Sequence, residues 1–289
     1  MRIRERDMGD VMRGIEGTIR EERAEWSREG QEWSVCEIGR GQSILYYHTI
    51  GLFRISNGEL IEYTAVMDVH SPMFCQWILN MALAIIKIQR EEIVLHGSAL
   101  IFPESERAFM ISGDSGSGKS TLADYLLQKE CRFLADDVAA VKFTEKGIYI
   151  DGAYPARRLC HDVVEKQGLD KDKLLYIRDG GREKYILDMK DAYYGNRSYP
   201  LEAIFVLTLN QDEEEVQVIE HKGSEKLDWI SSNLYRKRSY KQMGITPKIF
   251  SQCLRIAGEI PIYEIRRPVH AQTVEQIAAI VLEMNNCHR

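Results

Sequence analysis

The sequence predicts an α/β fold in which a domain with a mixed sheet follows a smaller α+β region. Residues 201–209 form an unbroken apolar run, which is typical of a strand buried in the centre of a sheet. Residues 108–129 read as an apolar strand, a glycine-rich turn and a helix, and residues 246–284 read as helix, strand and helix. Strands that alternate with helices in this way indicate an α/β domain.

The N-terminal third carries the signals of a small antiparallel sheet followed by a helix. Asn57-Gly58 is a hairpin signal between two apolar runs. Ser71-Pro72 is typical of a helix start, and the predicted helix covers residues 71–89. The apolar runs that we expect to form strands cover residues 34–38, 43–47, 52–55 and 60–65.

The predicted domain boundary lies near residues 90–93, where this helix ends and a new cluster of strand-like runs begins. We therefore predict an N-terminal α+β region over residues 1–92 and a second domain over residues 93–289. Within the first region, the charged segment 20–28 is typical of a solvated helix or of a partly disordered lead-in.

Composition excludes several classes of protein. With 44% hydrophobic and 28% charged residues the chain is of the ordinary soluble globular type, and its net charge of -6 argues against a nucleic-acid binder, which needs a basic surface. The six cysteines are far apart in sequence, which suits neither a zinc site nor a disulfide scaffold. The most apolar stretch, 77–86, is shorter than a membrane span. We expect a cytoplasmic protein without membrane or nucleic-acid partners, and leave homo-oligomer formation open.

A phosphate-binding loop is the most specific signal in the sequence. The spacing G-x-x-x-x-G-K-[ST] is met between an apolar strand and a helix. Glycines let successive backbone N–H groups point at a phosphate, and the positive end of the following helix adds to that field. The lysine meets the β and γ phosphates, and the serine hydroxyl can hold Mg²⁺. We predict that ATP, a nucleoside triphosphate, and Mg²⁺ bind here, through Gly113, Asp114, Ser115, Gly116, Ser117, Gly118, Lys119, Ser120 and Thr121.

Two adjacent acids, Asp136 and Asp137, follow the next predicted strand at residues 132–135. An apolar strand that ends in aspartate is what a P-loop enzyme uses to hold Mg²⁺ or its water shell. Adjacent carboxylates seldom share one role, so one can face the metal while the other accepts a proton from an incoming hydroxyl. The alternative is that both acids cap a turn between two strands.

His96 and a group of basic residues are the remaining candidates. If the apolar run 98–102 pairs beside the loop strand, His96 lies at a strand end near the phosphates, although a lone histidine is more often structural. Phosphoryl transfer also needs positive groups at the γ-phosphate beyond the loop lysine. The candidate suppliers, each of which could instead belong to a solvated basic surface, are Arg157, Arg158, Arg182 and Lys184.

Together these elements resemble the catalytic domain of the HPr kinase/phosphorylase family. That family carries a His-Gly before an apolar strand, a G-D-S-G-x-G-K-S loop and an A-D-D strand end, matched here by His96-Gly97, residues 113–120 and Ala135-Asp136-Asp137. The segment 154–159 and the pair Lys184-Tyr185 are similar to shorter members that phosphorylate lasso-peptide precursors on a C-terminal serine. Thr121 stands where the family usually has glutamate.

The resemblance implies a P-loop domain of the HPr-kinase type and a serine kinase activity. In the family the first aspartate of the pair activates the acceptor serine, which implies that role for Asp136. Asp137 is then its partner, holding Mg²⁺ with Ser120, while His96 positions charge and Lys119 neutralises the phosphates. The implied reaction transfers the γ-phosphoryl group of ATP to a serine of a peptide or protein, such as the C-terminal serine of a lasso-peptide precursor.

Two other functions are compatible with the loop. One is a small-molecule kinase that acts on free serine or a similar alcohol. The other is a P-loop ATPase or switch without an acceptor, although such proteins do not require the acid pair together with His96. The predicted sheet within residues 33–67 either recognises the acceptor, by pairing an exposed edge with an extended peptide, or simply covers the core.

Overall fold

The computed structural model describes residues 1–8, 34–114, 116–166, 168–179, 182–189, 197–211 and 214–287. The chain divides into two compact units. The first is Met1–Glu92 together with Arg238–Thr246, and the second is Ile93–Lys237 together with Pro247–Arg289. The helix or lead-in predicted at residues 20–28 lies outside the described residues.

A five-stranded sheet forms the first unit's β-layer. Its strands are β1 (Arg2–Glu5), β2 (Ser34–Glu37), β3 (Gln42–Tyr47), β4 (Gly51–Ser56) and β5 (Leu60–Ala65). The order is β1-β5-β4-β3-β2, and β1 runs parallel to β5 while the other neighbours are antiparallel. Asn57 (φ 52°) and Gly58 (φ 66°) both have the positive φ of a type I′ hairpin turn. The predicted antiparallel sheet and its hairpin are confirmed.

A helical segment follows this sheet as predicted. It consists of α1 (Pro72–Trp77), a π-helical turn (Ile78–Ala82) and α2 (Leu83–Gln89). The Ser71 hydroxyl caps α1 by accepting a hydrogen bond from the N–H of Phe74 at 3.2 Å. Trp77 stacks on Phe53 of the sheet with ring centroids 3.9 Å apart, so the helix buries its aromatic face against β4.

The second unit is built around a nine-stranded mixed sheet and a separate three-stranded sheet. The larger sheet has the order β6-β10-β11-β15-β8-β7-β9, with β17 beside β15 and β16 beside β17. The strands are β6 (Val94–His96), β7 (Ser98–Ile101), β8 (Ala108–Gly113), β9 (Arg132–Ala135), β10 (Val138–Thr144), β11 (Gly147–Asp151), β12 (Ala156–Cys160), β13 (Leu175–Asp179), β14 (Arg182–Asp188), β15 (Ser198–Asn210), β16 (Gln217–Glu220) and β17 (Ile262–Pro268).

Strand β15 lies in the middle of the larger sheet and contains the predicted apolar run 201–209. It is parallel to β8 on one side and to β17 on the other, while the remaining pairs of this sheet are antiparallel. Phe109 and Phe205 from these strands meet edge to face in a core that also includes Leu122 and Ile277. The predicted mixed α/β architecture is confirmed.

The helices of the second unit include two that pack over this core. Leu122 lies on α3 and Ile277 on α8, and both side chains are buried. In the described part of the chain, no helix is long and apolar enough to cross a membrane. The helices after residue 93 are α3 (Lys119–Gln128), α4 (His161–Lys166), α5 (Ser224–Ser232), α6 (Lys237–Met243), which from Arg238 onward belongs to the first unit, α7 (Pro247–Glu259) and α8 (Val274–Cys287).

The three-stranded sheet, with order β12-β14-β13, has no counterpart in the predicted strands. The reason is visible in β12, where Arg157 is only 2% exposed and lies on the same inward face as buried Leu159. An arginine at an apolar position hides the period-two pattern by which strands are recognised. Helices α4, α5 and α6 were likewise not predicted.

Candidate active site

The predicted phosphate loop joins β8 to α3, and its three glycines have positive φ angles. Gly113 (φ 137°) ends β8, and Gly118 (φ 103°) immediately precedes α3. A Cβ atom on Gly113 would lie 2.3 Å from the carbonyl oxygen of Leu207 on β15. Real side chains do not approach that closely, so only glycine fits where the loop leaves the sheet. Ser115 lies outside the described residues.

Lys119, the first residue of α3, folds back over the start of the loop. Its Nζ donates hydrogen bonds to the carbonyl oxygens of Gly113 and Asp114, each at 2.7 Å. Burial lowers the pKa of Lys119, whereas the negative charges of Asp114 and Asp136 act to raise it. The ammonium group has three donors, so it retains one for a phosphate oxygen while it holds these two carbonyls.

The end of the loop combines a buried hydroxyl with an arginine. The hydroxyl of Ser117 is buried and has no hydrogen-bond partner among the described residues. Arg267, at the end of β17, donates from Nε to the Ser117 carbonyl oxygen at 3.0 Å, and its guanidinium lies against Gly118. Ser120 is partly buried and Thr121 is exposed in the first turn of α3. An unpaired buried hydroxyl and an adjacent guanidinium both suit an anionic ligand.

Asp136 follows β9 and its carboxylate is held from two strands. Oδ1 accepts a hydrogen bond from the Ser98 hydroxyl at 2.7 Å, and Oδ2 accepts one from the backbone N–H of Arg158 at 3.2 Å. Ser98 can reach it because β7 pairs with β9 on one side and with the loop strand β8 on the other. A carboxylate has about four lone-pair sites, so capacity remains for another ligand.

Asp137 occupies a strained turn between β9 and β10. Its φ is 62°, and the N–H of Val138 bonds to the carbonyl oxygen of Asp136 at 2.8 Å, which is the pattern of a γ-turn. The carboxylate is paired with the guanidinium of Arg158. Arg158 thus contacts both acids, through its backbone N–H at Asp136 and through its guanidinium at Asp137. A strained backbone conformation of this kind marks Asp137 as a candidate functional residue.

His96 ends β6 and lies against this turn. Its Nδ1 is 3.2 Å from the carbonyl oxygen of Asp137, and because a carbonyl only accepts, Nδ1 carries the proton and Nε2 is left as an acceptor. Burial lowers the pKa of His96, and the positive charges of Lys119 and Arg158 lower it further while Asp136 opposes them. This shift favours the neutral imidazole, and its causes include Lys119 of the loop and Asp136 of the acid pair.

Arg157 and Arg158 point to opposite faces of β12, as successive strand residues do. Arg157 is buried, pairs with Asp124 on α3, and donates to the carbonyl oxygen of Ser120 at 3.4 Å. It therefore supports the helix behind the loop. Arg158 instead joins the acid pair, through its N–H to Asp136 and its guanidinium to Asp137.

The other two basic candidates lie on β14. Lys184 is opposite Cys160 in the sheet. Its positive charge lowers the pKa of His96, so it acts electrostatically on a residue of the candidate site. Arg182 begins β14, and its side chain lies outside the described part of the structure. Of the four basic candidates, Arg158 pairs with Asp137 and Lys184 acts electrostatically on His96. Arg157 pairs with Asp124 on α3, behind the loop.

A cavity of about 450 Å³ opens beside the start of the loop. Its lining includes His96, Gly113 and Asp114, together with Asn233, Tyr235 and Arg236 from the segment after α5. This segment is held against β6, because the N–H of His96 bonds to the Asn233 carbonyl oxygen at 2.9 Å and the N–H of Tyr235 bonds to the Val94 carbonyl oxygen at 2.8 Å. The Tyr235 ring also stacks with the imidazole of His96, at 6.1 Å between centroids.

The residues beside the loop fit Mg²⁺ bound with a triphosphate. Within the described residues, no group of three or more His, Cys, Asp or Glu side chains could hold a metal ion. Mg²⁺ does not require one, since it keeps several waters and takes one or two protein ligands plus phosphate oxygens. The Ser120 hydroxyl and the carboxylates of Asp136 and Asp137 are oxygen donors of the type that it prefers.

Three parts of this site were not found from the sequence. Ser98 was identified only as part of a strand, and the cavity segment around Tyr235 gave no signal at all. Arg267 could have been found if the parallel pairing of β17 with β15 had been known, because ligands of α/β sheets bind at the carboxyl ends of parallel strands.

Comparisons with known proteins give a coarse structural likeness. No protein-family model matches the chain, and no curated protein matches it. Solved structures do match, among them the HPr(Ser) kinase/phosphatase from Coxiella burnetii, with 14% sequence identity and a TM-score of 0.36. That match covers 68% of this chain and 97% of the other. A likeness at this level establishes neither the family nor the activity of the chain.

Proposed function

We propose that this chain is a Mg²⁺-dependent kinase that transfers the γ-phosphoryl group of ATP to a serine hydroxyl of a peptide or protein. The observation that supports this most is the position of Asp136, whose carboxylate is fixed by Ser98 and Arg158 and acts electrostatically on the loop lysine, Lys119. A carboxylate held in one orientation beside a phosphate loop is suited to accept the proton of an attacking hydroxyl.

In the proposed reaction the chain supplies a base and several positive charges. Asp136 accepts the proton of the serine hydroxyl as its oxygen attacks the γ-phosphorus and the bond to the leaving oxygen breaks. The ammonium of Lys119 and the backbone N–H groups of the loop stabilise the charge that develops on the phosphate oxygens. Mg²⁺, when bound by Ser120 and Asp137 with the phosphates, would neutralise further charge.

Arg158 has two roles in this proposal. Its N–H orients Asp136, and its guanidinium pairs with the neighbouring Asp137. Because the two carboxylates differ in charge environment, we assign the metal-holding role to Asp137 and the role of base to Asp136. Neutral His96 lies against the same turn without adding a positive charge beside the incoming hydroxyl.

The acceptor that we propose is a serine in a peptide, and the C-terminal serine of a lasso-peptide precursor is one candidate. A small-molecule kinase that acts on free serine would use the same base and the same loop. An ATPase without an acceptor would use the loop but has no need for the fixed orientation of Asp136 towards a hydroxyl. Product analysis therefore separates these functions.

The direct test is the variant Asp136→Asn, assayed with Mg-ATP and a set of serine-containing peptides by intact-mass analysis. Loss of a general base costs about 10²–10⁴-fold in rate, so we expect phosphorylated peptide to fall by that factor. Binding of ATP should persist, since the loop is unchanged. Asp172→Asn, which neutralises an exposed aspartate in a 3₁₀ turn, is the matched control and should retain full transfer.

Undiminished transfer by Asp136→Asn would remove Asp136 from the role of base. If the wild-type chain hydrolyses ATP but phosphorylates no hydroxyl-bearing peptide or free serine, the kinase proposal fails and the switch or ATPase alternative takes its place. Phosphorylation of free serine alone would select the small-molecule kinase.

A further inference from the structure

The cavity beside the loop lies at its terminal-phosphate end. Lys119 bonds to the carbonyl oxygens of Gly113 and Asp114, and both of these residues line the cavity. Because a loop lysine meets the β and γ phosphates, a group in the cavity would lie near the γ-phosphate rather than near the nucleoside. A volume of about 450 Å³ is within the range of small-ligand pockets and is sufficient for an amino-acid-sized group.

The aromatic ring in the cavity wall is not a platform for a nucleoside base. Tyr235 is only 9% exposed. Its ring already contacts the imidazole of His96 and the guanidinium of Arg236, which lies 5.6 Å from the ring centroid. Little of the ring surface remains for stacking on a base. The ring instead packs against His96 and Arg236.

Arg236 is the cation that this arrangement presents to a ligand. The residue is exposed and its backbone has a φ of 57°, an uncommon conformation for arginine. Among the described residues, its guanidinium contacts the Tyr235 ring and has no carboxylate partner. Arg158, by contrast, is committed to Asp137. A guanidinium that is held over a ring and forms no ion pair within the described residues is suited to bind a carboxylate or phosphate in bidentate geometry, although Asp114 also lines the cavity.

We propose that this cavity receives the acceptor, and that Arg236 is a specificity-determining residue that binds a small anionic group, a carboxylate or a phosphate, next to the acceptor hydroxyl. The inference rests on the proposed kinase function and adds a substrate class to it. The preferred acceptor is a serine with an anionic group within about one residue of its hydroxyl, as at a free C-terminus or beside a phosphorylated residue.

The test compares three peptides of one sequence that end in serine. The first has a free C-terminal carboxylate, the second a C-terminal amide, and the third an amide together with phosphoserine as the preceding residue. Each is assayed with Mg-ATP and the full-length chain, as wild type, Arg236→Gln and Arg236→Lys. The control Arg238→Gln removes one positive charge from an exposed arginine that does not line the cavity.

For the wild type we expect a kcat/KM at least about tenfold higher for one of the anionic peptides than for the amide, which is the effect of one charge-assisted hydrogen-bonded pair. The peptide that has the higher kcat/KM identifies the anion as carboxylate or phosphate. Arg236→Gln should raise KM for that peptide by the same factor, leave the amide unchanged and leave kcat similar. Arg236→Lys should restore part of the preference, and Arg238→Gln should behave as the wild type.

Equal use of the amide and the anionic peptides by the wild type would overturn the inference while leaving the kinase function intact. So would an anionic preference that Arg236→Gln retains. Absence of transfer to all three peptides and to free serine, with ATP still hydrolysed, would mean that the kinase proposal itself has failed, and the acceptor role of the cavity would fall with it.

Discussion

Ser98 shows how a single buried side chain can set the chemistry of the proposed site. It is 5% exposed, and its hydroxyl donates to Asp136 at 2.7 Å. Nothing about a serine in an apolar run marks it as functional. It acquires a role because its strand lies between the loop strand and the strand that precedes the acids. Ser98 does not touch the reacting atoms in our proposal, so we regard it as a positioning residue.

The variant Ser98→Ala should therefore lower kcat and leave KM for ATP nearly unchanged. A hydrogen bond to a charged group contributes about 1.5–3 kcal/mol, so loss of orientation at Asp136 should cost at least about tenfold in kcat. Ser98→Thr, which keeps the hydroxyl, should recover most of the rate.

The matched control for Ser98→Ala is Ser43→Ala on β3 of the first unit. The Ser43 hydroxyl is also buried and donates to the carbonyl oxygen of Gly39 at 3.1 Å. Stability losses should be similar in the two variants. Equal kcat values for them would contradict the positioning role of Ser98.

At the scale of elements, the junction of β8 with the loop explains why two glycines of one loop are not equivalent. A Cβ placed on Gly113 would meet the backbone of β15, whereas a Cβ placed on Gly116 (φ 85°) would have no described atom within 4 Å beyond its own chain neighbours. A side chain at Gly113 is disfavoured by both the backbone conformation and the lack of space, whereas a side chain at Gly116 is disfavoured by the backbone conformation alone.

Gly113→Ala should abolish nucleotide binding and destabilise the chain by about 3–5 kcal/mol, since the β8–β15 pairing must shift. Gly116→Ala should cost about 1–2 kcal/mol, the penalty of a left-handed residue, and should retain the fold. Urea denaturation and ATP binding, measured on both variants, check this order. A Gly113→Ala chain that is as stable as Gly116→Ala would contradict the close approach to Leu207.

A second element-scale feature is the buried Glu62 on β5 of the first unit. Arg54 on β4 and Arg4 on β1 lie opposite it in the sheet, and both, together with Arg6, bond to its carboxylate. Burial by itself would raise the pKa of Glu62, but the three arginines outweigh it and lower the pKa from 4.5 to about 2.

Because the folded pKa of Glu62 is depressed, its contribution to stability is present above pH 4.5 and is lost as the pH falls towards 2. Glu62→Gln should therefore flatten the pH dependence of stability in that window. Hydrogen exchange of the β4 and β5 amides, corrected for the intrinsic rate, measures this locally. Glu59→Gln, an exposed neighbour, should keep the wild-type slope, and a wild-type slope in Glu62→Gln would contradict the prediction.

At the scale of the whole molecule, the sequence returns to the first unit after contributing residues 93–237 to the second. Segment Arg238–Thr246 belongs to the first unit, where Arg40 donates to the carbonyl oxygens of Met243 and Gly244, at 2.7 and 2.9 Å. The buried Tyr240 donates its hydroxyl to the carbonyl oxygen of Glu92 at 2.7 Å. Recognition of the acceptor by the sheet of this unit stays a prediction.

Sequence reasoning found the elements whose signals are local. The mixed sheet, its central strand, the hairpin at Asn57 and the loop glycines all follow from periodicity or backbone preference. The strand that contains Arg157 was missed because a buried ion pair replaces an apolar side chain. The cavity segment at Tyr235 was missed because its pairing with β6 joins residues far apart in sequence. No periodicity within a segment reports such pairing.

The most direct test of the kinase proposal follows the phosphoryl group itself. The chain is incubated with Mg-ATP and the serine-ended peptides in ¹⁸O-labelled water, and the peptide and the released phosphate are analysed by mass spectrometry. We predict phosphorylated peptide whose phosphate carries no ¹⁸O, because the serine oxygen attacks the γ-phosphorus without hydrolysis. Unmodified peptides together with inorganic phosphate that carries ¹⁸O would contradict the proposal, since water would then be the acceptor.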